Sequence, residues 1–403
     1  MTTSGSPSPV ISENLACAAI GGAIGMAVAM GFGRFSYTPI LPGMMAGLGL
    51  SPADAGLVAS ANFIGYLAGA VLAAYGWAAG FERRLALGAL AATALLLLAM
   101  GVAASLPAFV FIRFLAGVAS AFAMIFMSGI VLSRGAQAGK PFVQSTHFGG
   151  VGIGIALSSL LVWLMPDAGI AGFAGWRAEW LLGAVVAVLG LIAVALLLPR
   201  DAPSLTRPAP EPPLVWTRPL TMLTLSYGVF GFGYVITATF LVAMARQGAA
   251  DQTVEFLCWF ITGISAAVSV HLWNRAVPRF GLLWIYIAGL LIEALGVFST
   301  VVLPLPAAPL IGGVLLGATF IMITAYGLQI GRMIAPNSPR RALALMTAAF
   351  GVGQIAGPAV AGWLAGRTGS FTLPTLLAAL ALIFCALAAF AVRRDIEDAI
   401  KLR

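Results

Sequence analysis

Charge is what this sequence has least of. Lys, Arg, Asp and Glu make up 8% of its 403 residues, where a soluble domain carries roughly a quarter. That is too little polar surface to cover a water-soluble globule. Histidine occurs only as His147 and His271, which excludes a multi-histidine metal centre and a HExxH site. Cys17, Cys258 and Cys385 lie far apart in apolar stretches, so neither a disulfide framework nor a CxxC site is available. The 21 basic residues form no block that would mark a nucleic-acid surface. GxSxG and paired intramembrane carboxylates are absent too, which argues against an enzyme. Runs such as Gly150-Val-Gly152-Ile-Gly154 sit inside apolar stretches with no Lys-Ser/Thr after them. They point to close helix packing, not to a phosphate cradle. No cofactor and no metal is expected.

What is abundant is apolar length: 61% of the residues are hydrophobic, in runs longer than the ~20 needed to cross a bilayer core. Hydropathy predicts an all-α membrane protein with twelve spans: 15–45, 53–79, 85–105, 107–133, 142–165 and 177–198, then 219–245, 252–274, 282–303, 309–331, 341–365 and 371–392. The first is read as one long tilted helix. Residues 1–14, Ser/Pro-rich and without Lys or Arg, read as a disordered tail instead of a signal peptide. The stretch 199–218 is Pro-rich and charged, a linker between six-helix halves at 15–198 and 219–392. Residues 393–403 form a tail. Sixteen of the basic residues fall on the side of the two termini; only Arg177, Arg246 and Arg367 fall on the other, and Arg34 and Arg113 lie inside spans. By the positive-inside rule both termini are expected to be cytoplasmic.

The two halves repeat. Gly31-Phe32-Gly33 recurs as Gly231-Phe232-Gly233, and Phe114-Leu-Ala-Gly117 aligns with Val314-Leu-Leu-Gly317, both at an offset of 200. Phe148-Gly149 and Phe350-Gly351 follow at 202. A parallel six-plus-six repeat suits an alternating-access transporter with its cavity between the halves.

Several motifs carry a family resemblance over nearly the whole chain. Arg113-Phe-Leu-Ala-Gly117 matches an RxxxG signature, Gly175-Trp176-Arg177 opens span 6, and Gly353-Gln-Ile-Ala-Gly357-Pro358 is similar to a GxxxGP element. Together they resemble the major facilitator superfamily. The GxxxDRxGRR loop of that superfamily is degraded here to Gly69 and Arg83-Arg84, with a second copy at Asn274-Arg275 and Arg279. Gly31-Phe-Gly-Arg34-Phe-Ser-Tyr37-Thr-Pro39-Ile-Leu-Pro42 looks like the signature of its YbfB/YjiJ group. The resemblance implies a multi-pass transporter of the bacterial inner membrane, monomeric and driven by an ion gradient, with protons and a small molecule as partners beside the lipid.

Arg34 is the strongest site candidate, since a charge at mid-span costs about 2.5–3.5 kcal/mol on insertion scales. Tyr37 follows at i+3, on the same face of a regular helix, and the pair is expected to clamp a carboxylate or similar anion. Tyr234 and Thr237 are their second-half equivalents; Asn62, Tyr66, Tyr326 and Gln354 are further expected cavity residues. Coupling candidates are Arg113, by its motif, Glu293, the one carboxylate deep in a span, and His147. A secondary transporter of a small anionic or zwitterionic solute is the expected function. Alternatives are a hydrophobic drug or metabolite exporter and a non-transporting receptor or scaffold on the same fold.

Overall fold

The computed structural model describes residues 9–75, 77–78, 80–140, 142–165, 172–199 and 211–401. Helices α1 (Pro9–Met26) and α2 (Tyr37–Leu48) are joined by a π-helical segment, Ala27–Phe35, and together form the first span. The rest of the first half is α3 (Pro52–Ala74), α4 (Glu82–Val102), α5 (Leu106–Gln137), α6 (Phe142–Trp163) and α7 (Gly175–Leu197). The second half comprises α8 (Arg218–Gln247), α9 (Gln252–Phe280), α10 (Leu282–Val302), α11 (Ala307–Ile334), α12 (Pro339–Thr368) and α13 (Thr372–Ala391). A short helix, α14 (Arg393–Lys401), follows. Twelve spans are long and apolar enough to cross a membrane, as the hydropathy predicts. An even number returns the chain to the face it started from, here called the terminal face.

Three expectations need correction. The first span is not one regular helix but is interrupted by the π segment. Among the described residues its helix runs from Pro9, inside the stretch expected to be a tail. The second span ends at Ala74 and not at 79, where the Trp77 indole donates to the Leu72 carbonyl (2.7 Å) and occupies one of the helix's last acceptors. Most of the linker, 200–210, lies outside the described residues.

The repeat is written in the packing. Gly117 of α5 lies against the carbonyl of Asn62 in α3, and Gly317 of α11 against that of Thr262 in α9, so both partners shift by 200. A side chain at either glycine would run into backbone. Between the halves, α6 meets α9, α3 meets α12 and α2 meets α8. Thr38 Oγ1 donates to the Ala238 carbonyl (2.6 Å), Ser60 Oγ to Ile355 (2.8 Å) and Ser159 Oγ to Phe256 (2.9 Å). These contacts lie toward the face opposite the termini, where Gly56 also packs on Pro358 and Gly362. The halves are closed there. Toward the terminal face, α5 and α11 show no extended pairing among the described residues.

Candidate functional site

The site is built around the break in the first span. Pro39 and Pro42 have no N–H to give the helical ladder, so nearby carbonyls must find other donors. The chain widens into the π segment and turns at Ser36, whose Oγ donates back to Phe32 (2.5 Å). Arg113, from α5, supplies the missing donors: Nη1 to the Gly33 carbonyl and Nη2 to that of Arg34, each at 3.0 Å. Asn62 Nδ2 in turn donates to the Arg113 carbonyl (3.1 Å). A buried guanidinium thus fixes the backbone that carries Arg34.

This geometry undoes the expected clamp. Arg34 lies within the π segment and Tyr37 opens α2 beyond it, so the regular i+3 spacing does not hold between them. Tyr37 instead sits under the Arg113 guanidinium, 5.0 Å from ring centroid to Cζ, and its hydroxyl donates to the Ala55 carbonyl (2.9 Å). Tyr66 takes the place Tyr37 was expected to fill. Arg34 Cζ lies 4.7 Å from the Tyr66 ring, 4.5 Å from Phe63 and 5.4 Å from Phe35. Arg34 is 4% exposed, and its Nε and Nη2 have no hydrogen-bond partner. The salt bridges Arg246–Glu255 and Arg340–Glu211 both lie elsewhere, and no carboxylate partner of Arg34 is found among the described residues. A buried cation cushioned by rings but short of acceptors keeps donors that an anion could use.

The second half faces it with a ladder of rings. Phe320, Tyr234 and Phe350 stack nearly parallel, with centroids 5.9 and 5.7 Å apart, and Tyr227 continues the stack on Phe350 at 4.9 Å. Phe35 reaches across from the first half to Phe320 (6.0 Å) and Trp259 (6.4 Å). Gln354 Nε2 donates to the Tyr234 hydroxyl, while Thr237 is fully buried with its hydroxyl unpartnered.

Other candidates fall elsewhere. Tyr326 donates to Asn274 Oδ1 (2.7 Å) on α9, outside the ladder. Glu293 is buried between α10 and α11, where Thr319 Oγ1 lies 3.0 Å from its Oε2. His147 is wedged among α1, α5 and α6, with Nε2 2.8 Å from Ser128 Oγ and Nδ1 beside Gly22. Neither Glu293 nor His147 belongs to the Arg34 cluster. Sequence reasoning missed Phe35, Phe63, Phe320 and Phe350. Phe350 carried a signal as part of the repeated Phe-Gly pair, and Phe35 as a member of the Gly31–Pro42 signature.

Comparison with known proteins agrees with this architecture. Residues 26–390 match the family model described as "Uncharacterised MFS-type transporter YbfB". The solved nucleoside transporter NupG is 15% identical, with a TM-score of 0.69 over 94% of this chain and 99% of that one. A bacterial homologue of the human lysosomal transporter Spinster, in an inward-facing and occupied conformation, gives 0.68 at 14% identity, over 96% and 98%. A D-xylose-proton symporter gives 0.67 at 17%, over 95% and 98%. At such identities the likeness is one of fold.

Proposed function

The chain belongs to the YbfB family of MFS-type transporters, and from that premise we propose that it carries a small organic anion or zwitterion anchored by Arg34. The observation that carries this is the pair of buried, unpartnered guanidinium nitrogens on Arg34. A carboxylate or sulfonate would supply the missing acceptors in a water-poor site, where such a bond is worth about 1.5–3 kcal/mol. The ring ladder of Tyr234, Phe320 and Phe350 gives the rest of the solute an apolar wall. Alternating access follows the two halves: closed on the face opposite the termini, the site would empty toward the terminal face, which the basic residues assign to the cytoplasm. No nucleotide-binding motif occurs in the sequence, so the driving force is an ion gradient, proposed to be of protons. Coupling runs through Arg113, whose hydrogen bonds tie α5 to the segment bearing Arg34.

The test is a thermal-shift screen of purified protein against organic anions, amphipathic cations and sugars, in wild type, Arg34→Ala and Arg34→Lys. Organic anions should stabilise wild type, lose the effect in Arg34→Ala and keep part of it in Arg34→Lys. Equal stabilisation of all three proteins would remove Arg34 from the site.

A further inference from the structure

Beside Arg34, two further polar side chains in the interior are without partners, and both belong to the second half. The Trp259 indole is 1% exposed, and its Nε1–H has no acceptor among the described residues. Thr237 is fully buried and its hydroxyl is likewise unpartnered. It follows Tyr234 by three residues along α8, so the two share a face of that helix. Ring contacts tie both groups to Arg34. Tyr234 stacks on Phe320, Phe320 meets Phe35, and Phe35 meets Trp259. The Phe35 centroid lies 5.4 Å from the Arg34 Cζ and 6.4 Å from the Trp259 centroid. Guanidinium and indole are therefore no further apart than those two distances together. They also differ in depth. At 1.5 Å per residue, Trp259 stands about 10 Å in from the start of α9, on the face opposite the termini. Tyr66, against Arg34, stands about 21 Å in from the start of α3 on that same face. The interior thus has two polar poles, with Phe35 between them.

We propose that the solute held by Arg34 is a one-ring carboxylate with a second oxygen at its far end, bound by Trp259 and Thr237. The proposal rests on the reading of Arg34 as an anion site and adds the second pole. An indole N–H can only donate, so the far group must accept; an apolar or cationic end leaves it unpaired. A hydroxyl suits both side chains, accepting from the indole and donating to the threonine. Phe35, Phe320 and Tyr234 favour a flat aromatic middle over a flexible chain, which loses rotor freedom on binding. Specificity arises at the far pole, because a solute without the oxygen strands buried donors there. Arg34 belongs to one half and Trp259 and Thr237 to the other, so such a solute engages both.

The experiment titrates three probes of matched shape against the purified full-length protein: benzoate, 4-methylbenzoate and 4-hydroxybenzoate. 4-Hydroxybenzoate should bind wild type about tenfold tighter than 4-methylbenzoate, the worth of one or two buried hydrogen bonds. Trp259→Phe keeps a ring without a donor, and Thr237→Val keeps the shape without a hydroxyl. Each should reduce that ratio and the pair should bring it to about one, while benzoate affinity, which reports an intact fold, is unchanged. A ratio near one in wild type, or a tenfold ratio that survives the paired substitution, would overturn the second pole. Failure of all three probes to bind would overturn the one-ring class and leave Arg34 to the broader anion screen. Arg34→Ala should abolish binding of all three. If it leaves affinity and ratio intact, the anion anchor is wrong, while a ratio that depends on Trp259 and Thr237 still establishes their pole.

Discussion

Arg34 and Arg113 are the two arginines inside spans, yet they have opposite surroundings. Arg113 spends its guanidinium on the backbone carbonyls of Gly33 and Arg34; Arg34 keeps two nitrogens unused. One holds backbone and the other has donors to spare. Arg113→Ala should therefore strand two buried carbonyls, costing about 1–3 kcal/mol of stability, and should weaken anion binding at Arg34. Arg113→Lys is the informative variant, because an ammonium keeps the charge but cannot fork across two carbonyls. It is expected to fail as Arg113→Ala does, in anion titrations as well as in thermal melts. Rescue by lysine would mean that charge alone matters there. Glu293 offers the contrasting case. Its partner is a threonine hydroxyl on α11 and not a cation, and an amide can bond that hydroxyl equally well. Glu293→Gln should keep wild-type transport and its pH profile in reconstituted vesicles. At this scale the sequence was informative about charge and weak about company. Arg34 announced itself by its cost in an apolar span, whereas its partners Phe63 and Tyr66 come from another helix. The supposed partner Tyr37 was chosen by regular-helix spacing that the chain does not follow.

Among the elements, the spans and the repeat were legible because both rest on local pattern: apolar length for the first, recurring Gly and Phe for the second. The π segment was not, although Pro39 and Pro42 were in view. A proline removes a donor, but which alternative acceptor arrangement results depends on Arg113, 74 positions beyond Pro39 in sequence. The linker shows the same limit. Its composition marks a connector, yet its last part is docked: Glu211 accepts from the backbone N–H groups of Arg340 and Arg341 and from Arg340 Nε (2.8 Å), while Ser338 Oγ donates to Pro212 (2.9 Å). A carboxylate thus covers the otherwise unpaired N–H groups at the start of α12. Desolvation pushes the Glu211 carboxyl upward, but the Arg340 guanidinium and the two N–H groups outweigh it and hold it below the usual carboxylate value. A carboxyl lowered by docking favours the docked strap above its ordinary range near ~4.3 and loses that contribution as pH falls through the lowered value. Hydrogen exchange at the amides of 340–342 should accordingly stay slow at neutral pH once corrected for intrinsic rates. It should rise only below about pH 4, while Glu211→Gln should show the faster exchange already at pH 7. Unchanged exchange in that variant would mean the strap is held by Ser338 alone.

At the scale of the whole molecule, the question is what the closed seam does. The halves meet through glycines whose missing side chains set the distance: Gly56 lies on the Pro358 carbonyl and beside Gly362, and Gly152 on Gly263 and Ala267. The two pairs belong to equivalent helices of the repeat, α3 with α12 and α9 with α6, so the seam is close to symmetric about the site. The three atoms nearest to where a Gly56 Cβ would stand, the Pro358 carbonyl oxygen and carbon and the Gly362 Cα, are all across the interface. A leucine there should leave both halves folded and obstruct only their approach. Overpacking of a tight contact costs roughly 1–3 kcal/mol, enough to shift a two-state equilibrium by about five- to 150-fold. Thr38 reports the result, being 3% exposed and bonded across the seam to Ala238. In a Thr38→Cys protein with Cys17 replaced, a membrane-impermeant maleimide added from the face opposite the termini should react slowly. Adding Gly56→Leu should raise that rate by at least about fivefold and abolish net transport, while anion binding to Arg34 persists. A fast-transporting Gly56→Leu protein, or one whose introduced thiol stays unreactive, would show that the seam is not part of the cycle. The same labelling decides the sidedness: if reagent reaches the introduced thiol only from the cytoplasm, the positive-inside assignment of the termini is reversed.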